Sequence, residues 1–294
     1  MKERDPYHSH SFGELCALPL VYHDQLFADQ VVLITGAAGG IGTAMSVLFG
    51  RLGAAIVATG RTPESLDRLA GNLETIGVAC ETVAMTVRDS DAVAATVDHA
   101  ASAFGQIDHV INNAGGQFSA EAVDITPKGW AAVVETNLYG TWYMMQEAAR
   151  RWIADKRPGN IINISTIQGR ASVGIPHTAA ARAGGVALTR SLAVEWAPHD
   201  IRVNSIAVGV VASEGLQTYP DEAKASFGHN PMRRLGDVWD VAQGAAYLAS
   251  PAADFITGTH LEITGGEHVW GEYWPLGKPD YFRAANDQPR RLRP

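Results

Sequence analysis

The sequence predicts a single α/β domain in which a doubly wound parallel sheet of seven strands lies between two layers of helices. Short apolar runs rich in β-branched residues alternate with longer helical patterns along most of the 294 residues. Several runs are apolar throughout, as expected of strands that are covered on both faces. Strand–helix–strand units of this kind imply right-handed crossovers and therefore a parallel, three-layer arrangement.

Seven strands are predicted, at residues 31–35, 55–59, 79–84, 109–111, 160–164, 202–207 and 260–263. Helices are predicted between and after them, at residues 42–52, 63–76, 89–104, 127–154, 178–197 and 238–249. The clearest helix start is Thr62-Pro63-Glu64, where a capping residue precedes a proline in the first turn.

These elements form a core over residues 30–266, between an N-terminal extension over residues 1–29 and an aromatic tail over residues 267–294. The irregular segment 213–230 is interpreted as a substrate lid, because ligands in such folds bind beyond the carboxyl ends of the strands. An ordinary surface loop is the alternative.

The composition excludes several classes of protein. Hydrophobic residues make up 46% of the chain and charged residues 18%, which suffices for a large core and excludes a disordered chain. A net charge of −8 argues against a nucleic-acid partner. The uncharged stretch 30–50 contains five glycines, so a strand, a tight turn and a buried helix explain it better than a membrane span.

The cysteines and the N-terminal residues indicate the cellular compartment. Cys16 and Cys80, the only two cysteines, make neither a metal-ligand pattern nor a disulfide framework, which favours a reducing compartment. The charged start over residues 1–6 has no apolar segment after it and is unlike a secretory signal. We therefore expect a cytoplasmic protein with no membrane partner and no metal.

A glycine-rich turn follows the first predicted strand, with the sequence Thr-Gly-Ala-Ala-Gly-Gly-Ile-Gly from Thr35 to Gly42. Glycines there allow a tight turn and let backbone N–H groups approach a pyrophosphate at a helix N-terminus. The turn therefore predicts a dinucleotide site, and a purely structural turn is the alternative. The expected contacts are Gly36, Ala38, Gly40, Ile41 and Gly42.

The end of the second strand indicates which dinucleotide binds. An NAD site usually has a carboxylate here for the ribose hydroxyls, but this chain has Gly60 followed by Arg61. An arginine pairs well with a 2′-phosphate, so the sequence predicts NADP(H). The alternative is that Arg61 is a solvated surface residue.

Further motifs in a fixed order make residues 30–266 resemble the short-chain dehydrogenase/reductase family, which has a Rossmann-like fold. They are Asn112-Asn113-Ala114-Gly115, Asn137, Asn163-Ile164-Ser165-Thr166 and Ile201-Arg202-Val203-Asn204-Ser205. The resemblance implies a homo-oligomer, either a dimer or a tetramer, and further cofactor contacts. These contacts are Thr86, Val87, Asn113, Ala114, Gly115, Ile164, Arg182, Val208, Gly209 and Val211.

The chain departs from this family at several positions. Val208-Gly209 stands where a proline-glycine step is usual, and Thr86 stands where an acidic residue usually contacts adenine. The catalytic Tyr-x-x-x-Lys of the family is absent. Alignment on the following Ala-Gly puts Thr178 at the tyrosine and Arg182 at the lysine.

The family's catalytic serine also has two possible counterparts. The neighbouring residues favour Thr166, whereas the spacing to Thr178 favours Ser165, and the sequence does not separate them.

These losses point to a particular chemistry. A threonine hydroxyl is far less acidic than a phenol, and an arginine stays protonated, so proton delivery to a carbonyl is impaired. Conjugate reduction of an α,β-unsaturated thioester needs only fixed donors for the developing enolate oxygen. The candidate donors are Thr178, Ser165 or Thr166, and Asn137.

The sequence is also similar in detail to the trans-2-enoyl-CoA reductase branch of the family, and it shares parts of its pattern with dienoyl-CoA reductases. The similar segments are Asn112–Phe118, Lys128–Trp130, Glu135–Leu138, His177–Arg182 and Ser250–Gly258. This resemblance implies an NADPH-dependent reductase acting on an acyl-CoA or similar thioester.

The alternatives are an alcohol or carbonyl oxidoreductase with a substitute acid, or a related protein that binds the nucleotide without redox chemistry. Four residues are candidate substrate contacts. Gln117 and Phe118 are expected to line the substrate pocket. His177 is either a proton donor or a residue that shapes the loop, and Tyr219 in the lid is a candidate replacement for the missing phenol.

Overall fold

The computed structural model describes residues 9–217, 224, 230–271, 275 and 279–283 of the chain. Within these ranges it forms one α/β domain. Most of the predicted lid, including Tyr219, lies outside the described residues. The lid therefore stays a prediction.

The described residues form nine strands: β1 Val31–Thr35, β2 Ala55–Gly60, β3 Cys80–Ala84, β4 His109–Asn112, β5 Gly159–Thr166, β6 Ile201–Val208, β7 Val211–Ala212, β8 Gly236–Asp237 and β9 His260–Ile263. The main sheet has the order β3-β2-β1-β4-β5-β6-β9, and every neighbouring pair in it is parallel. The predicted seven-stranded, doubly wound sheet is thus confirmed. The short strands β7 and β8 pair separately.

The helices are α1 Phe12–Ala17, α2 Gly40–Arg51, α3 Pro63–Glu74, α4 Ser90–Phe104, α5 Pro127–Val134, α6 Gly140–Asp155, α7 Pro176–Glu195, α8 Glu214–Gln217, α9 Val238–Ala249 and α10 Asp280–Arg283. Local sequence explains several starts. The side chain of Asp89 caps α4, and Asp237 and Asp240 form a capping box on α9. Pro127 and Pro176 lie in the first turns of α5 and α7.

The two faces of the sheet bury separate cores. Ile162 and Ile164 of β5 belong to the core that contains α2 and α9, whereas Ile161 belongs to the core that contains α4, α6 and α7. Side chains alternate between the faces of a strand with a period of two. Even-numbered residues of β5 therefore face α2 and α9, and odd-numbered residues face α6 and α7.

The helix predicted over residues 127–154 is interrupted by a wide turn. Residues Glu135–Tyr139 form a π-helical turn between α5 and α6, in which the Gly140 N–H donates to the Glu135 carbonyl. Single π turns inside α-helices occur frequently at functional sites. Asn137, one of the predicted site residues, lies in the middle of this turn.

The N-terminal extension has structure that the sequence did not predict. Phe27 and Leu15 are buried in the core beside α2. Arg51 donates to the Leu15 carbonyl at 3.0 Å, and the Tyr22 hydroxyl donates to the Gln243 carbonyl at 2.8 Å. Residues 9–29 therefore join α2 and α9 on the outer face of the domain.

The described residues contain neither a membrane-spanning helix nor a cluster of metal ligands. None of their helices combines the length and hydrophobicity that crossing a bilayer requires. No three of their His, Cys, Asp or Glu side chains come close enough together to hold a metal ion.

Candidate active site

A cavity of about 610 Å³ lies at the carboxyl ends of β1, β2 and β4. Thirteen of the predicted cofactor and substrate residues line it: Gly36, Ala38, Gly40, Ile41, Gly42, Arg61, Thr86, Val87, Asn113, Ala114, Gly115, Gln117 and Phe118. The structure thus brings the glycine turn, the end of β2 and the segment after β4 into one site. It has the position expected for a dinucleotide in a doubly wound sheet.

The glycine turn is held to β4 by two side chains. Asn113 Nδ2 donates to the carbonyls of Thr35 and Gly36, each at 3.0 Å. In return, Thr35 Oγ1 accepts the backbone N–H groups of Asn113 and Ala114. Gly36 adopts a φ of +63°, and a Cβ there would lie 3.0 Å from Ala114 Cα, so the turn requires glycine.

The cavity is positive although the whole protein is acidic. Among its described lining residues are two arginines, Arg61 and Arg88, and no carboxylate. Arg88 is fixed, because it donates to Thr136 Oγ1 at 2.8 Å and to the Ala132 carbonyl at 2.6 Å. Arg61 makes no hydrogen bond or ion pair with any residue that the structure describes. The N-terminus of α2, whose N-cap Gly39 provides no capping side chain, opens at the same cavity.

Sequence reasoning missed Arg88, Thr136 and Ser213 as lining residues. Arg88 directly follows Thr86 and Val87, so its position beside the predicted adenine contacts was the available signal. Thr136 precedes Asn137 in the π turn, and nothing in its sequence context indicates that it faces the cavity.

Arg182 of α7 reaches the end of β5. Its Nη1 donates to the Ile164 carbonyl at 2.6 Å, while its Nε is inaccessible to solvent and makes no hydrogen bond in the described structure. Burial lowers the pKa of Arg182 to about 10, so the guanidinium remains charged at neutral pH. It thereby supplies a fixed positive charge beside Gly115, where an added Cβ would overlap Nη2.

The alternation along β5 separates the two candidates for the serine. Ser165 is an odd-numbered residue and faces α6 and α7, as does Asn163, which donates to Thr189 of α7 at 2.9 Å. Thr166 faces the opposite side of the sheet. Ser165 Oγ is buried without a hydrogen-bond partner among the described residues, and it lies on the same face as Thr178 and Arg182.

Thr178 lies in the first turn of α7 and is buried. Its backbone N–H donates to Nδ1 of His177 at 2.8 Å, and its hydroxyl lies 3.4 Å from the same nitrogen. Since that nitrogen already accepts the shorter bond, the hydroxyl hydrogen of Thr178 is available to another acceptor.

The side-chain amide of Asn137 already makes hydrogen bonds through both its nitrogen and its oxygen. Its Nδ2 donates to the carbonyls of Gly116 and Val133, and its Oδ1 accepts the N–H of Gly116. An amide has only two donor hydrogens, so Asn137 has none left for a substrate oxygen in this structure. It positions the segment Gly115–Gly116 instead of presenting a free donor.

Five predicted cofactor residues do not line the cavity: Arg182, described above, and Ile164, Val208, Gly209 and Val211. Ile164 contributes its carbonyl to Arg182. The Gly209 N–H donates to Ile263 of β9, and Val211 pairs with Gly236 in the small sheet. Val208 lies in β6 opposite Thr166. Their predicted cofactor contacts stay predictions.

Known proteins resemble this chain over most of its length. The family profile described as enoyl-(acyl carrier protein) reductase matches residues 36–268. A probable 2,4-dienoyl-CoA reductase of Bacillus subtilis is 37% identical over 253 residues, which cover 84% of this chain and 99% of that protein. A 3-oxoacyl-(acyl-carrier-protein) reductase of Pseudomonas aeruginosa is 34% identical over 242 residues, covering 82% and 98%.

A solved structure agrees with these sequence relatives. The short chain dehydrogenase of Bacillus anthracis superposes with a TM-score of 0.76 at 37% identity, covering 83% of this chain and 98% of that one. These relatives, together with the fold and the cavity behind the glycine turn, identify an oxidoreductase that binds a nicotinamide dinucleotide. The chain belongs to the short-chain dehydrogenase/reductase family.

Proposed function

We propose that this protein uses NADPH to reduce the C=C bond of an α,β-unsaturated acyl thioester such as an enoyl-CoA. The observation that carries the proposal is the donor set at the carboxyl end of β5. It holds two buried hydroxyls, Ser165 and Thr178, beside a charged Arg182, and no phenol or ammonium of a described residue replaces the lost tyrosine and lysine. Such a site stabilises negative charge on oxygen but is poor at giving a proton away.

The site fits the cofactor. Arg182 Nε and Ser165 Oγ are buried polar atoms without partners in the described structure, which is the state expected of groups that await a ligand. Arg182 would hold the ribose next to the nicotinamide, and the N-terminus of α2 would hold the pyrophosphate. When bound, the reduced dinucleotide supplies a hydride to the β-carbon of the substrate.

The residues of the chain then act on the substrate oxygen. As charge moves to the thioester carbonyl, Thr178 and Ser165 donate hydrogen bonds to it, and Arg182 adds a positive field. Asn137 acts indirectly, because it fixes the segment Gly115–Gly116 that forms the wall of the cavity. The enolate is then protonated at its α-carbon, by water or a nearby side chain, so no strong acid is needed at the oxygen.

Arg61 supports NADPH over NADH. It lines the cavity without a partner in the described residues, and no described carboxylate is present for the ribose hydroxyls of NAD. A charge-assisted hydrogen bond to a 2′-phosphate contributes about 1.5–3 kcal/mol, so Arg61→Ala should weaken NADPH binding by at least about tenfold. NADH binding should change little. Arg150→Ala removes an exposed arginine on α6 and serves as the control; equal losses for the two cofactors would contradict the assignment.

The activity itself is tested with a substrate panel. The purified protein is incubated with NADPH and crotonyl-CoA, 2,4-hexadienoyl-CoA or acetoacetyl-CoA, and cofactor oxidation is followed by absorbance. We expect turnover of an unsaturated thioester and none of acetoacetyl-CoA. Turnover of acetoacetyl-CoA alone would favour carbonyl reduction, the second candidate, which the similarity to the Pseudomonas aeruginosa 3-oxoacyl reductase supports. Tight NADPH binding without any turnover would favour a protein without redox activity.

The predicted homo-oligomer also belongs to this proposal. Tyr139 and Val194, at the start of α6 and at the end of α7, are exposed in the single chain. Sedimentation of the purified protein would distinguish a monomer from a dimer or tetramer.

A further inference from the structure

The imidazole of His177 is buried at the start of α7 with one nitrogen unused. No part of the residue is exposed to solvent. Its ring meets Phe118 edge to face, with centroids 4.6 Å apart, and lies 6.4 Å from the ring of Trp130. Within the described structure its Nε2 has no hydrogen-bond partner. Buried polar atoms of this kind are rare, so this nitrogen requires an explanation.

The backbone fixes which nitrogen carries the hydrogen. Nδ1 of His177 accepts the Thr178 N–H at 2.8 Å, and a peptide N–H can only donate. Nδ1 therefore uses its lone pair, and the neutral ring carries its hydrogen on Nε2. The unused atom is thus a hydrogen-bond donor on a buried ring that packs edge to face against Phe118.

This donor lies beside the proposed reaction site. The hydroxyl of Thr178 lies 3.4 Å from Nδ1 of the same imidazole, and Phe118, whose ring meets the imidazole edge to face, lines the cofactor cavity. Phe118 is itself 41% exposed and follows the glycine pair Gly115–Gly116, of which Gly116 has open space around it. A substrate that displaces the Phe118 ring would therefore reach the imidazole of His177.

We propose that the neutral Nε2–H of His177 donates a hydrogen bond to the thioester carbonyl oxygen of the substrate, together with Thr178. The inference rests on the proposed function, because it assigns His177 to the oxygen on which the enolate charge develops. His177 acts as a fixed electrophile and keeps its hydrogen throughout the reaction. The sequence allowed a proton donor at this position, whereas the tautomer that the backbone imposes favours a hydrogen-bond donor.

The hydrogen bond can be observed without turnover. The infrared carbonyl band of crotonyl-CoA is recorded free and bound to the protein with oxidised dinucleotide. A donor to the carbonyl oxygen shifts this band to lower frequency. We expect the shift in the wild type and in Trp130→Phe, which changes the aromatic wall but keeps the donor. His177→Phe should lose part of the shift, and His177→Gln, which retains an N–H group, should recover some of it.

Kinetics supply the second readout. Removal of one oxyanion donor lowers kcat by about 100-fold to 1,000-fold in a well-studied protease, and we expect a smaller loss of about 10-fold to 100-fold here because Thr178 remains. The KM for the thioester and the affinity for the dinucleotide should stay within about twofold, since the bond strengthens only as charge develops. His99→Gln, which changes an exposed histidine of α4 away from the site, should retain the wild-type kcat.

The outcomes separate the two proposals. A wild-type protein that reduces no unsaturated thioester overturns the proposed function, and a carbonyl band that still depends on His177 supports the donor. A carbonyl band that is identical in wild type, His177→Phe and His177→Gln overturns the inference even when the wild type is active. If His177→Phe does not fold, the comparison between the wild type and His177→Gln decides, because a neutral donor predicts partial retention of both band shift and kcat.

Discussion

Substitution of Gly115 by alanine tests whether Arg182 is held in place at the site. An alanine Cβ at this position would overlap Arg182 Nη2 and come within 2.8 Å of Asn137 Oδ1. The far end of an arginine usually moves aside at little cost. Here it does not move freely, because Nη1 is bonded to the Ile164 carbonyl at 2.6 Å and Nε is buried.

The size of the effect follows from these contacts. A Cβ that overlaps neighbouring atoms that cannot relax costs about 1–3 kcal/mol, and a lost hydrogen bond to a charged group costs about 1.5–3 kcal/mol. Since Arg182 relieves the overlap by giving up its bond, the two costs do not add in full, and about 2 kcal/mol is expected. In a protein of this size that lowers Tm by roughly 4–8 °C. Turnover should fall further, because the displaced guanidinium no longer supplies its field.

The neighbouring glycine provides a matched control. A Cβ on Gly116 meets nothing within 4 Å, so Gly116→Ala adds the same methyl group one residue away without the overlap. Thermal unfolding and NADPH oxidation are measured for both variants. If Gly115→Ala has the same Tm and turnover as Gly116→Ala, Arg182 is not fixed in the way described.

Three further predictions concern Thr178, His109 and the N-terminal extension. Thr178→Val should lower kcat by about 10-fold to 100-fold with unchanged NADPH affinity, and Thr178→Ser should retain most activity; loss of affinity instead would assign Thr178 to cofactor binding. Burial, and secondarily Arg202, lowers the pKa of His109 to about 3. The unfolded chain binds a proton at this histidine below about pH 6.5, whereas the folded chain does so only near pH 3. The contribution of His109 to the free energy of unfolding is therefore complete above about pH 6.5 and is lost as the pH falls toward about 3. The free energy of unfolding of His109→Gln should therefore change less between about pH 6.5 and pH 3 than that of the wild type or of the control His99→Gln. The same pH dependence in all three proteins would contradict the lowered pKa of His109. Phe27→Ala should cost about 3–5 kcal/mol in unfolding experiments, whereas Val21→Ala, at an exposed position, should be nearly neutral. Equal effects would mean that residues 9–29 do not belong to the core.

Much of the fold is readable from the sequence because buried parallel strands leave a strong local signal. The predicted strand at residues 31–35 coincides with β1, and its five side chains are all buried. The wide turn at Glu135–Tyr139 leaves no such signal. Residues 130–139 contain no glycine or proline that would mark a break, so residues 127–154 read as one helix.

The candidate site was predictable in its residues more than in their roles. The spacing along the chain could not choose between Ser165 and Thr166, because the choice depends on which face of the sheet each side chain occupies. In the structure Asn163 and Ile161 lie on the side of α6 and α7, which puts Ser165 on that side and Thr166 on the opposite one. Likewise, the sequence around Asn137 does not indicate that both of its amide hydrogens are donated to backbone carbonyl groups.

The N-terminal extension shows a different limit. Leu15 and Phe27 lie in the short apolar stretches 15–22 and 26–28, which Pro19 and the polar residues 23–25 interrupt, so they do not show the sustained periodicity of a packed element. Their burial depends on surfaces of α2 and neighbouring strands that are distant in sequence. The interaction is tertiary, and a local pattern does not contain it.

The wide turn between α5 and α6 also fixes the direction in which the side chains of α6 point relative to those of α5. Each residue advances an α-helix by about 100°, so one additional residue turns everything after it by that angle relative to everything before it. The two nearly continuous helices therefore pack against different neighbours: α5 packs against α7, and α6 packs against α4. Loss of a single residue here would rotate the buried face of α6, with Met144 and Trp152, away from α4. The same loss would move Asn137 from Gly116, so the length of this turn couples the wall of the active site to the packing of the hydrophobic core.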